Sequence, residues 1–377
     1  MIYILFYILL ASVVIGKVFY TKSNYKIEIC VFLLLLGIVV INFPLGPDLP
    51  SYVFSFDRVS SPIADAFKYN MQRNVGFNAF LFYTKQIKNN YIIFRLLFNL
   101  VITSLCGYTI YKYSKNKLFA MLIFFGAGYY IVYFGSGIRQ MMAMAIFFFA
   151  YFNFLLEKKD LLYLLMSFIA LSFHEAGIIC FYVYLIYIVR NIILRYPKTF
   201  FIVSCISSLA IFYFSVNFLP IIVEKYQYIS VFTHILMYLS NISIDVFGIV
   251  LRTILVLINI FLYLSTPNKN SKNKAMIVTM IAIYFFYMAF SGFSLVARIY
   301  DFVAIIEMIM IPNFIFYMKI RLKKLLCISV IILLNLILLV TDIKFTCNSE
   351  YISNYYNFND FPYLTVFDTK TINQLIE

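Results

Sequence analysis

Charge is what this 377-residue chain has least of: Asp, Glu, Lys and Arg together make up 12% of it. A soluble domain carries about 25%, so a large water-facing surface is excluded. Histidine occurs twice and tryptophan not at all. The six cysteines are scattered, five of them in apolar runs and only Cys347 in a polar stretch, which gives no disulfide framework. No His/Cys cluster has metal-ligand spacing, no Walker A loop is present, and no Asp-x-Asp pair offers itself to a metal-bound sugar nucleotide. We therefore expect no metal and no cofactor. The N-terminal run MIYILFYILLASVVIG has no basic segment before it, so it reads as a first membrane span with an external N-terminus.

What fills the chain instead is apolar: 64% of the residues are hydrophobic. Runs of about 20 such residues recur from end to end, the length a membrane crossing needs. They do not alternate as barrel strands would, which leaves an all-α polytopic membrane protein. Spans are expected near 2–20, 27–45, 91–111, 118–135, 138–156, 160–173, 175–190, 199–219, 246–265, 275–292, 299–318 and 325–341. That makes about 12 transmembrane or half-membrane helices. The net charge of +14 would point to nucleic acid in a soluble protein. Here the cations sit in short loops, so no nucleic-acid partner is expected and the charge sets topology. The loops around Lys17, Lys112, Lys158, Arg190, Lys269 and Lys319 fall on one side, the expected cytoplasm, and both termini are then periplasmic. Residues 160–190 keep this parity only as a hairpin of two short helices with its apex at Phe173-His174-Glu175. The chain, 1–377, reads as one membrane domain with three external segments. These are a loop at 46–90 whose amphipathic stretch NVGFNAFLFYTKQIKNN would lie along the membrane surface, a loop at 220–245, and a polar tail at 342–377.

On that topology several polar groups share the external depth: Asp48, Tyr52, Arg139, Gln140, His174, Glu175, Arg298, Tyr300 and Asp301. An ionisable group costs about 3 kcal/mol at mid-bilayer, so a paired or functional role is the default. Bland readings stand beside the functional ones. Arg139 would be a snorkelling anchor, Arg298 a partner of Asp301 one turn on, and His174 a backbone cap. Glu175 would neutralise a neighbour, Asp48 would serve a turn beside Pro47, and Tyr52 would be an interfacial aromatic. Taken together, two arginines and a histidine suit a diphosphate on a lipid tail. Guanidinium forks hold phosphate and stabilise the charge of a departing diphosphate, and a histidine takes a proton from an attacking hydroxyl.

The stretch GIRQMMAMAIFFFAYFNFLLEKKDLLYLLMSFIALSFHEAGIICFYVYLIY resembles the central block of the EpsG-like family of Wzy-type polysaccharide polymerases. PDLPSYVFSF, VGFNAFLFYTKQI and ARIYDFVAIIEMIMIP resemble its flanking segments in order and spacing. The resemblance implies a GT-C-like glycosyltransferase of the bacterial inner membrane with its active site facing the periplasm. Such an enzyme moves a growing glycan from undecaprenyl diphosphate to an undecaprenyl-diphosphate-linked repeat unit, without a metal. Its expected partners are those lipid-linked units and membrane lipid, with a chain-length regulator and a flippase alongside. Carried onto this chain, Arg139 and Arg298 hold the donor diphosphate, His174 is the base, and Gln140 and Asp48 stand near the sugars. A flippase for the same lipid-linked sugar, an O-antigen ligase and a non-catalytic scaffold are the other readings. Charged residues crowded toward one face favour an enzyme over a transport path.

Overall fold

The computed structural model describes residues 2–19, 25–63, 65, 74–126, 129–218, 221, 224–225, 246–266, 270–291, 294–357 and 361–376. Among them there is no named strand. In chain order the helices are α1 (Ile2–Phe19), α2 (Tyr25–Ile41), α3 (Leu49–Arg58), α4 (Val75–Ile87), α5 (Tyr91–Tyr113), α6 (Lys117–Gly126), α7 (Ile138–Ala150) and α8 (Asp160–Phe173). They continue with α9 (Ile179–Arg195), α10 (Pro197–Asn217), α11 (Val246–Ser265), α12 (Ser271–Ala289), α13 (Ser294–Ala304), α14 (Glu307–Phe316), α15 (Arg321–Cys347), α16 (Glu350–Ser353) and α17 (Thr369–Ile376). Among the described residues seven helices are long and apolar enough to cross a membrane, and an eighth forms if Arg298–Ala304 and Glu307–Phe316 make one broken span. The expected spans near 118–135 and 160–173 appear as shorter apolar helices, Lys117–Gly126 and Asp160–Phe173. Most of the expected loop at 220–245 lies outside the described residues.

The contacts group the chain into two compact units, residues 1–177 with 307–377, and residues 178–306. The first is built around α6, whose sequence KLFAMLIFFG is apolar almost all round and is buried at every position. Helices α1, α2, α14 and α15 pack against it. Helix α7 packs between α5 and α8. A short turn with Lys158 at φ 59° reverses the chain between α7 and α8, so the start of α7 and the end of α8 share one end of the unit. In the second unit α12 is the centre, with α9, α10, α11 and α13 around it. Asn270 starts α12 by accepting the Asn273 N–H at 2.8 Å.

Two of the segments expected to be external are packed into the first unit. In helix α4 Phe77 and Leu81 are fully buried against α3, α5 and α8. The tail docks on the first unit. Helix α15 continues past residue 341 to Cys347, and the chain then returns to the end of α2. There Asn42 and Thr365 form an antiparallel bridge, with Phe43 N–H donating to Leu364 O and Val366 N–H to Ile41 O, both at 2.8 Å. Phe361 and Tyr363 pack on the Tyr3 ring at 5.9 and 5.4 Å, and α17 rests on α3 with Ile372 fully buried. The sequence hides this docking because α17 shows its apolar residues only on one narrow face.

Ile372→Ala removes the buried anchor, a change that costs about 2–5 kcal/mol in a packed core. Hydrogen exchange at the Phe43 and Val366 amides is expected to accelerate, with α6 unaffected. Asp368 accepts from the Thr365 N–H at 2.7 Å and hydroxyl at 2.8 Å, and these bonds hold its carboxyl below the ordinary carboxylate value. A depressed folded value stabilises above the unfolded value and is lost as pH falls through the folded one. Protection of the tail should therefore be flat near neutrality and fall only in acid, below about pH 4.

Candidate functional site in the first unit

Two glycines set the geometry. A Cβ on Gly46 would stand 2.4 Å from the Gly135 carbonyl carbon and from Ser136 Oγ, and a Cβ on Gly135 would stand 2.5 Å from Leu45 O. The loop leading into α3 therefore meets the loop leading into α7 backbone to backbone, an approach only glycine permits. Pro50 at the first turn of α3 presets its helical backbone. Tyr52, one turn in, is buried and donates its hydroxyl to the Ser136 carbonyl at 2.5 Å.

Arg139 enters α7 directly after this contact. Its guanidinium lies over the rings of Tyr52 and Phe77, 5.8 Å from each centroid, and its Nε is buried without a hydrogen-bond partner. Burial pushes the Tyr52 phenol above its ordinary value, while the Arg139 cation opposes that shift and Asp48 adds to it. The phenol stays neutral and remains a donor. Gln140 is buried beside Arg139 and Asp48 is exposed at the start of α3.

Helix α4 links this cluster to His174. Phe77 carries the Arg139 guanidinium, and one residue earlier a Cβ on Gly76 would stand 2.3 Å from Ser172 Oγ. Helix α8 ends at Phe173, His174 is extended at φ −156°, ψ 136°, and a 3-10 turn follows over Glu175–Ile178. The helix break falls where the sequence puts the hairpin apex. His174 is 8% exposed and its Nδ1 accepts the Ala176 N–H at 3.1 Å. A neutral imidazole in that bond carries its proton on Nε2. Glu175 points outward and is exposed.

The sequence reading passes over a further arginine. Arg95, on the first turns of α5, is 1% exposed. Its Nη2 donates to the Phe134 carbonyl, the Phe43 ring lies 5.4 Å away, and Tyr91 and Tyr52 are its electrostatic neighbours. Its Nε and Nη1 are buried with no hydrogen-bond partner. Among the described residues neither Arg95 nor Arg139 takes part in an ion pair. Desolvating a lone cation costs several kcal/mol, and a cation–π contact returns about 2 kcal/mol at best. The balance leaves room for an anion. The signal was legible: YIIFRLLFNLV is an arginine in an apolar run, the same anomaly that marks Arg139.

A match to the EpsG family covers residues 25–359. The chain belongs to the EpsG family. No curated protein and no solved structure matches it significantly. Within this EpsG-family chain the remaining expected site residues, Arg298, Tyr300 and Asp301, lie in the second unit on α13. Arg298 is exposed and Tyr300 buried. Asp301 pairs with Arg252 of α11 at 3.3 Å. Arg252 lies over Tyr287 and Tyr300 at 5.0 and 5.7 Å. Arg252, a second arginine in an apolar run, was also not singled out from the sequence.

Arg95→Met exchanges an uncompensated buried cation for an apolar side chain of similar length. Stability in detergent is expected to stay within about 1 kcal/mol of wild type or to rise. A loss of several kcal/mol would make Arg95 a structural brace for the Phe134 carbonyl.

Proposed function

We propose that this protein is a surface-polysaccharide polymerase, a glycosyltransferase that moves a growing glycan from undecaprenyl diphosphate to an undecaprenyl-diphosphate-linked repeat unit. Membership of the EpsG family supports a polymerase-like role. The observation that carries the reading is the Arg139–Arg95 pair around Tyr52, two guanidinium groups with buried N–H groups left unbonded. A lipid diphosphate supplies acceptors for both, as charge-assisted bonds. On this reading the short helices count as half-crossings of a GT-C-like arrangement of about 12. The basic loops are cytoplasmic, and the site and both termini face the periplasm of the inner membrane. A flippase and a chain-length regulator act beside it.

In the proposed reaction a hydroxyl of the incoming repeat unit attacks the anomeric carbon of the donor glycan. The new glycosidic C–O bond forms, the bond to the diphosphate breaks, and the hydroxyl proton passes to the departing diphosphate or to solvent. Arg95 and Arg139 stabilise the leaving charge, the part a metal ion takes elsewhere. His174 enters as a hydrogen-bond donor through Nε2, since Nδ1 is engaged by the Ala176 N–H. This replaces the base role expected from the sequence. Gln140, Asp48 and Glu175 face the sugars.

The test is purified protein in detergent with lipid-diphosphate repeat units, EDTA and no nucleotide. Wild type is expected to give a ladder of products. Arg139→Ala should lower kcat/KM by about 100- to 1,000-fold, as removal of one oxyanion donor does, and Arg139→Lys should recover part of it as a point charge. Arg95→Met should lose the ladder while remaining folded. A wild type that makes no ladder yet moves repeat units across proteoliposomes would sink the reading in favour of a flippase.

A further inference from the structure

The first unit has a second polar feature, at the other end of α2 and α5 from Arg139. A cavity of about 480 Å³ opens there between the end of α1, the start of α2, the loop before α6, the end of α14 and the start of α15. Helix α5 alone puts about 34 Å between the two ends. Five cations line the cavity, Lys17, Lys115, Lys319, Arg321 and Lys324, and among the described lining residues Glu28 is the one carboxylate. Glu28 is bound to Lys17 at 2.6 Å, so it does not neutralise the others.

Two of these cations are held in place. Arg321 donates to the Phe19 carbonyl at 3.2 Å and lies 4.9 Å from the Phe19 ring centroid. Lys324 donates to the Phe316 carbonyl at 3.1 Å. Phe119, Ile315 and Ile328 form an apolar part of the wall, and Asn116 adds a polar group. Charges that only orient a chain in a membrane need no cavity and no fixed geometry. Two held cations in a lining that also has apolar side chains match a molecule with a phosphate head and a hydrocarbon body.

We propose that this cavity binds the phosphate headgroup of an anionic membrane lipid from the leaflet on the basic side of the protein. The assignment does not depend on the polymerase reading.

The experiment is thermal unfolding of the full-length protein in detergent with phosphatidylglycerol, phosphatidylcholine or inorganic phosphate added. Phosphatidylglycerol is expected to raise Tm by several degrees and phosphatidylcholine not to. Arg321→Gln with Lys324→Gln should abolish the shift. Arg195→Gln with Lys198→Gln, which removes the same charge from residues that do not line the cavity, should keep it. If the cavity double variant does not fold, Lys115→Gln on the opposite wall gives the same readout as a reduced phosphatidylglycerol shift. Equal shifts with both lipids, or a shift that survives the cavity variants, overturn the proposal. A shift of equal size with inorganic phosphate also overturns it, by assigning the cavity to a soluble phosphate.

Discussion

The backbone contact between Gly46 and Gly135 is the constraint on which the arginine cluster depends. It brings two loops together that are far apart in sequence. From one of them α3 starts and sets Tyr52 under the Arg139 guanidinium; from the other α7 starts and carries Arg139 itself. The Tyr52 hydroxyl bond to the Ser136 carbonyl then locks the two together. Any Cβ at either glycine would push the loops apart, and the aromatic floor beneath the guanidinium would move with them.

Around that contact the unit supplies uncompensated positive charge in a dry setting. Arg95 is buried among Phe43, Tyr91 and Tyr52, and its bonded partner is a carbonyl, not a carboxylate. Aromatic rings and carbonyl oxygens hold a guanidinium in place without neutralising it. That arrangement keeps full charge available for a ligand, where an ion pair would spend it internally. The second unit differs in this respect: Arg252 is matched by Asp301, so its cation is balanced within the protein.

The docked tail shows how the segments outside the long helices brace this end of the unit. The bridge at Asn42–Thr365 lies a few residues before Gly46, and α17 packs on α3. Residues 361–376 thus brace the loop that leads into α3 and the helix that carries Tyr52. Helix α4 acts from the other side, with Phe77 beneath Arg139 and Gly76 against the end of α8, two residues before His174.

The sequence by itself determined the helical membrane class, the break at His174 and the anomaly of Arg139, because each rests on local quantities: apolar run length, a run too long for one crossing, and the cost of a charge in a greasy run. The same rule applied to YIIFRLLFNLV and FGIVLRTILVL marks Arg95 and Arg252. What composition did not carry was pairing. Whether a buried arginine meets a carboxylate, a ring or nothing depends on residues that are distant in sequence, and only the tertiary structure brings Asp301 to Arg252. The docking of the tail and of α4 was illegible for the same reason. A narrow apolar stripe looks alike whether a membrane surface or another helix covers it, and packing alone decides which.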